Sequence, residues 1–165
     1  MKKIIFLSIS VLIGILVYNK SDEIIIPSDA IRVRIIANSN NINDLYEKKK
    51  LKEEIKSDLY NLVKDADNSV NARESITNNM DKIKELITAR TSDFKINYGK
   101  NYFPKKNYKG VIYQEGEYES LVITLGKGMG ENWWCVLYPP LCMIDDNADT
   151  KDVEYRSIVL DLLSR

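Results

Sequence analysis

The sequence has no histidine in 165 residues. That removes the imidazole on which Ser-His-Asp and Cys-His catalysis depend. It also removes the commonest zinc ligand and the side chain that changes charge near neutral pH. Cysteine is limited to Cys135 and Cys142, too few for a metal site without further ligands. An excess of charge of one sign is missing as well: 24 basic residues balance 24 acidic ones. This argues against nucleic acid as a partner, because domains that bind it carry a basic surplus. Glycine and proline are scarce, at seven and four residues, and no internal repeat or low-complexity tract is present. Apolar residues, in contrast, make up 44% of the chain, enough for a packed core and too much for a disordered one.

One long apolar run exists, Ile4 to Tyr18, broken by Ser8, Ser10 and Gly14 and preceded by Lys2 and Lys3. It is shorter than the roughly 20 residues of a standard membrane span, and its basic flank reads as a secretory signal. Val17-Tyr18-Asn19-Lys20 is a poor cleavage site, so a cleaved signal peptide and an uncleaved membrane anchor both fit. Either one directs the residues after Lys20 out of the cytoplasm. Loss of the two lysines with this segment leaves 22 basic against 24 acidic residues, a mild surface. The chain therefore divides into an export segment (residues 1–20), a linker (21–29), one folded domain (30–144), and a polar loop with a candidate C-terminal helix (145–165).

Within the domain, Ile31, Val33, Ile35 and Ala37 alternate with Arg32, Arg34 and Ile36, as in a half-buried strand. The alternation puts Arg32 and Arg34 on its outward face, where guanidinium groups can grip a carboxylate. Asn43 and Asp44 are placed to cap a helix reaching about Lys64, with Leu51, Ile55, Leu59, Leu62 and Val63 on one stripe. A second helix is expected from Asn71 to near Arg90, with Glu74 as a capping-box partner and a stripe of Ala72, Ile76, Met80, Ile83 and Ile87. The short connection between them predicts an antiparallel pair. Strand patterns follow at Phe94–Tyr98, Val111–Tyr113, Tyr118–Leu125 and Trp133–Leu137, with Gly99–Gly110 as a loop. A final helix is expected over Val153–Leu163. The predicted fold is α+β, a helical hairpin on a mainly antiparallel sheet in the order β-α-α-β-β-β-β, preceded by the export helix.

The segment Gly126 to Cys142 concentrates the rare residues: three glycines, two prolines, both tryptophans and both cysteines. Its Gly-Lys-Gly-Met-Gly string lacks the spacing of a dinucleotide fingerprint or a P-loop. A strand rather than a helix follows it, so it reads as a tight connection between strands. A disulfide suits Cys135 and Cys142 outside the cytoplasm, and a buried thiol suits Cys135 equally well. Trp133 and Trp134 point to opposite faces of a strand, one into the core and one toward solvent or a partner. Glu115, Glu117 and Glu119 recur at strand spacing, which fits a solvated face better than a carboxylate pair for glycoside hydrolysis. No catalytic residue, metal ligand or cofactor site is assigned.

Four strings resemble the stage II sporulation protein R family. They are Ile31-Arg32-Val33-Arg34-Ile35-Ile36-Ala37-Asn38-Ser39, Phe103-Pro104 followed by Tyr108, Gly116-Glu117-Tyr118-Glu119, and Asn132-Trp133-Trp134-Cys135 through Pro139-Pro140-Leu141-Cys142. Asn40 departs from the family pattern, which often has an acid there. The resemblance implies a protein made in the forespore and exported across its membrane into the space facing the mother cell. There it would activate the membrane-embedded aspartic peptidase that processes the precursor of sigma factor E. It would be a signal rather than an enzyme, with that peptidase as partner and a membrane contact through its N-terminal segment. Residues nominated for partner contact are Arg32, Asn38, Ser39, Asn132, Trp133, Trp134, Tyr138, Pro139 and Pro140. The competing class is an exported hydrolase acting on peptidoglycan or peptide. A lipid- or wall-binding module is less well supported by the mild charge.

Overall fold

The computed structural model describes residues 26–108, 111–143 and 159–164. The expected export segment, most of the linker and most of the final helix lie outside the described residues. Among the described residues, no helix is long and apolar enough to cross a membrane.

The first strand, β1 (Ile31–Ile36), leads into a helix, α1 (Ile42–Val63). Asn41 caps this helix by accepting a hydrogen bond from the Asp44 N–H at 3.0 Å. The cap is thus Asn41 rather than Asn43 or Asp44. The Asp44 carboxylate faces back and accepts from Asn38 Nδ2, Ser39 Oγ and Asn41 Nδ2. A carboxylate in the first turn also suits the helix dipole. Leu51, Ile55, Leu59 and Val63 form the buried stripe, as their spacing requires.

The expected second helix is present as two, α2 (Ser69–Asn78) and α3 (Met80–Thr88). Asn68 caps α2 by accepting from the Asn71 N–H, so the helix begins before Asn71 and without Glu74 as a box partner. The break falls at Asn79, whose side-chain Nδ2 donates to the Ser75 carbonyl at 2.8 Å. A side chain that bonds its own helix end competes with the helical backbone pattern.

Five strands follow: β2 (Phe94–Phe103), β3 (Lys106–Tyr108), β4 (Val111–Tyr113), β5 (Gly116–Leu125) and β6 (Asn132–Tyr138). A 3₁₀ turn covers Leu141–Met143. The main sheet has the order β2-β5-β1-β6, and β3 and β4 form a separate hairpin. β1 runs parallel to β5 and antiparallel to β6, while β2 and β5 are antiparallel. The fold is α+β with a mainly antiparallel sheet. The region expected as a loop after Tyr98 supplies the second half of β2 and all of β3.

Both faces of the sheet are covered. On one, Ile31, Val33, Ile35, Leu121 and Ile123 meet the stripes of the three helices, including Ile55, Ile76, Ile83 and Ile87. On the other, Phe103, Val111, Tyr113, Tyr118, Val136, Leu141 and Val159 form a second, smaller core. Residues 159–163 are helical, with Val159 fully buried there. This second layer explains why β1 is almost wholly buried rather than half-buried.

Candidate functional site

The sheet brings the two ends of the folded chain together. β6 pairs with β1, placing Trp134 opposite Arg34 and Trp133 opposite Ile35. The glycine string connects β5 to β6, which are not neighbours, so it bridges the end of β1 instead of closing a hairpin. Gly126 and Gly128 take positive φ, +52° and +66°. A side chain on Gly130 would run into the Ser39 backbone.

The bridge is held by the Asn38-Ser39-Asn40 turn. Asn38 Oδ1 accepts from the Lys127 N–H at 2.9 Å, and Asn40 Oδ1 accepts from the Glu131 N–H at 2.7 Å. The Met129 N–H donates to the Asn38 carbonyl and the Gly130 N–H to the Ala37 carbonyl. Asn38 and Ser39, nominated for partner contact, therefore already bond within the domain. Asn40 meets the Glu131 N–H with a neutral amide oxygen, so this turn needs no charge there.

Arg32 requires a correction. Alternation placed it on an outward face, yet it is only 2% exposed. The second core covers that face, and the guanidinium lies 4.1 Å from the Phe103 ring centroid, 5.0 Å from Tyr118 and 5.9 Å from Tyr113. Aromatic faces replace much of the lost hydration of the cation. Burial lowers the Arg32 guanidinium to about 10, which leaves it charged at neutral pH. Arg34 stays at the rim, 4.7 Å from the Trp134 ring, and its Nε donates to Asn132 Oδ1 at 2.8 Å. Desolvation lowers its value too.

Trp133 and Trp134 lie on opposite faces, and both are half-buried. Trp133 packs against the helical core, with Lys52 Nζ 5.6 Å from its ring. Trp134 meets Phe103 edge-on at 5.1 Å. Tyr138, Pro139 and Pro140 are half-buried as well, and the Tyr138-Pro139 peptide is cis. The proline turn folds Leu141–Met143 back along β6, and Cys135 and Cys142 are joined by a disulfide with Cα atoms 5.5 Å apart. That separation lies in the usual range for a bridged pair.

A groove of about 250 Å³ follows this edge. Residues from both faces of β6 line it, Trp133 and Cys135 as well as Trp134 and Val136, so it wraps the outer edge of the strand. Its far wall comes from the hairpin: Lys106, Asn107, Tyr108 and Tyr113. These hairpin residues had no place among the sequence candidates, although Lys109-Gly110 between two tyrosines is a turn signal. The acidic series lies elsewhere. Arg73 holds Glu119, and the Glu115 carboxylate accepts from the Tyr102 hydroxyl at 3.2 Å.

The family model described as stage II sporulation protein R matches residues 27–148, which include both the Asn38 turn and the whole of β6. The chain belongs to that family. Stage II sporulation protein R of Bacillus subtilis (strain 168) is 35% identical over 133 residues, covering 77% of this chain and 59% of that protein. The chain thus spans under two thirds of the length of this curated relative. No solved structure matches the fold. Family membership places the chain among sporulation proteins.

Proposed function

We propose that the protein is an exported signal that activates the membrane-embedded aspartic peptidase processing the precursor of sigma factor E. It acts in the space between forespore and mother cell, and the edge formed by Asn132–Pro140 is the surface that meets the peptidase. Family membership supports the reading, and so does the basic-then-apolar N-terminal segment. The geometric observation that carries it is the groove at β6. It is walled by tryptophan and tyrosine rings at a strand edge, a composition favoured in protein interfaces. Contact there would favour an active receptor state over an inactive one, and the shift can be no larger than the difference in affinity for the two.

A hydrolase would have to draw on groups already committed. Cys135 is bonded to Cys142, and Glu119 is clamped by Arg73. The deciding experiment is co-expression of this chain with the peptidase and the sigma precursor in a non-sporulating host. Precursor cleavage should depend on the chain, and equal cleavage without it would end the signalling reading.

A further inference from the structure

Arg32 is a buried cation whose own fold leaves it incompletely bonded. Its Nε and Nη1 are buried without a hydrogen-bond partner. The flanking rings interact with the face of the guanidinium, whereas its N–H groups donate in the plane. An unmet charged donor in a low-dielectric site is costly, so an acceptor arriving there would gain more than it would at the surface. Arg32 lines the groove at β6, where Lys106 adds a second positive charge and, among the described residues, no Asp or Glu contributes to the wall. The outer edge of β6 pairs with no other strand among the described residues. Edges of this kind accept extended peptides through main-chain hydrogen bonds, with side-chain pockets supplying specificity.

The geometry points to a peptide site: the groove takes an extended segment of a partner protein, and an aspartate or glutamate side chain of that segment pairs with Arg32. This inference rests on the docking reading above and adds the chemistry of what docks. A guanidinium presents a planar fork that matches a carboxylate. The groove, at about 250 Å³, is below the roughly 300–1,000 Å³ typical of small-molecule sites. It suits one acidic residue and its neighbours.

The full chain can be tested by its own fluorescence, because both tryptophans line the groove. The probes are the capped peptides acetyl-Val-Glu-Val-amide and acetyl-Val-Gln-Val-amide. The glutamate peptide is expected to shift the emission saturably, with a dissociation constant on the order of 1 mM. The glutamine peptide should bind about tenfold more weakly, the scale of one hydrogen bond to a charged group. Lys106→Gln, a change on an exposed strand, should weaken only the glutamate peptide. Arg32→Lys should do the same if the variant melts cooperatively, and the Lys106 variant carries the test if it does not. Equal binding of the two peptides, or none by either, overturns the proposal. A competing occupant is the chain's own acidic series Asp145, Asp146, Asp149, Asp152 and Glu154. If amide replacements there raise glutamate-peptide affinity more than about tenfold, that series rather than a partner fills the groove. Failure of the peptides with intact activation in co-expression sinks this inference alone. Peptide binding without activation sinks the signalling reading.

Discussion

Arg73 grips Glu119 with three hydrogen bonds, Nε to both carboxylate oxygens at 2.7 and 2.8 Å and Nη2 to Oε2 at 2.6 Å. The pair ties α2 to β5 across 46 residues of sequence. Arg73 is 40% exposed, so the clamp contributes no more than about 1 kcal/mol. The hydrogen bonds from Arg73 hold the Glu119 carboxyl below its ordinary value of 4.5. The folded state therefore binds that proton less readily than the unfolded state. Its contribution is complete above 4.5 and is lost as the pH falls through the lower folded value. Thermal melts should show Arg73→Ala slightly less stable than the parent at neutral pH. The gap should narrow as the pH falls below 4.5; a gap that stays constant through that fall would contradict the assignment.

Two glycines should respond in opposite ways to the same substitution. A Cβ at Gly130 would collide with the Ser39 backbone, whereas one at Gly99 meets nothing within 4 Å. Gly130→Ala should cost about 1–3 kcal/mol through forced displacement of the turn. Gly99→Ala should be neutral or stabilising by about 0.5 kcal/mol, because the unfolded chain loses freedom. Urea unfolding of the two variants measures both.

The Cys135–Cys142 bond closes a short loop, with a sequence separation of 7. Chain entropy alone then gives about 2.5 kcal/mol of stabilisation. Unfolding free energies from urea titrations with and without reductant should differ by that amount. A Cys135→Ser, Cys142→Ser double variant should match the reduced protein and ignore reductant.

The tryptophans should separate by what they touch. Trp134→Ala removes the ring packed on Phe103 and Arg34. It should cost about 2 kcal/mol, less than a fully buried aromatic because the ring is only half-buried. Trp133→Phe keeps an aromatic against the helical core and should melt within about 1 kcal/mol of the parent. If Trp133 contacts the receptor, that same variant should lower precursor cleavage in co-expression. Normal cleavage would remove Trp133 from the docking surface.

Much of the scaffold is legible in local pattern. Ile31, Val33 and Ile35 show the period of a strand, and Leu51, Ile55 and Leu59 that of a helix face, and each packs as its period requires. The break at Asn79 is hidden because Met80, Ile83 and Ile87 stay in phase with Ala72 and Ile76. Lys106–Tyr108 is exposed along its length and carries no apolar alternation to mark it as a strand. Arg32 is the instructive case at the site. Alternation correctly separates it from Ile31 and Val33, but alternation assumes water on the far side. What lies there is Phe103, Tyr118 and Val159, brought from 71 to 127 positions away by tertiary packing. The bonds of Asn38 and Asn40 to the glycine bridge are likewise set by a distant partner, which leaves no mark in their own neighbourhood.

The place of β1 at the centre of the sheet has a consequence for how the molecule comes into being. Its partners are Glu119–Thr124 on one side and Asn132–Tyr138 on the other. The strand made first is thus completed last. A chain emerging from a ribosome, or threading a narrow channel, keeps its central strand without neighbours until nearly the whole domain has passed. Long-range pairing of this kind makes assembly slow relative to local helix formation. Synthesis of the chain and completion of its sheet are thereby kept as successive events, written into the strand order itself.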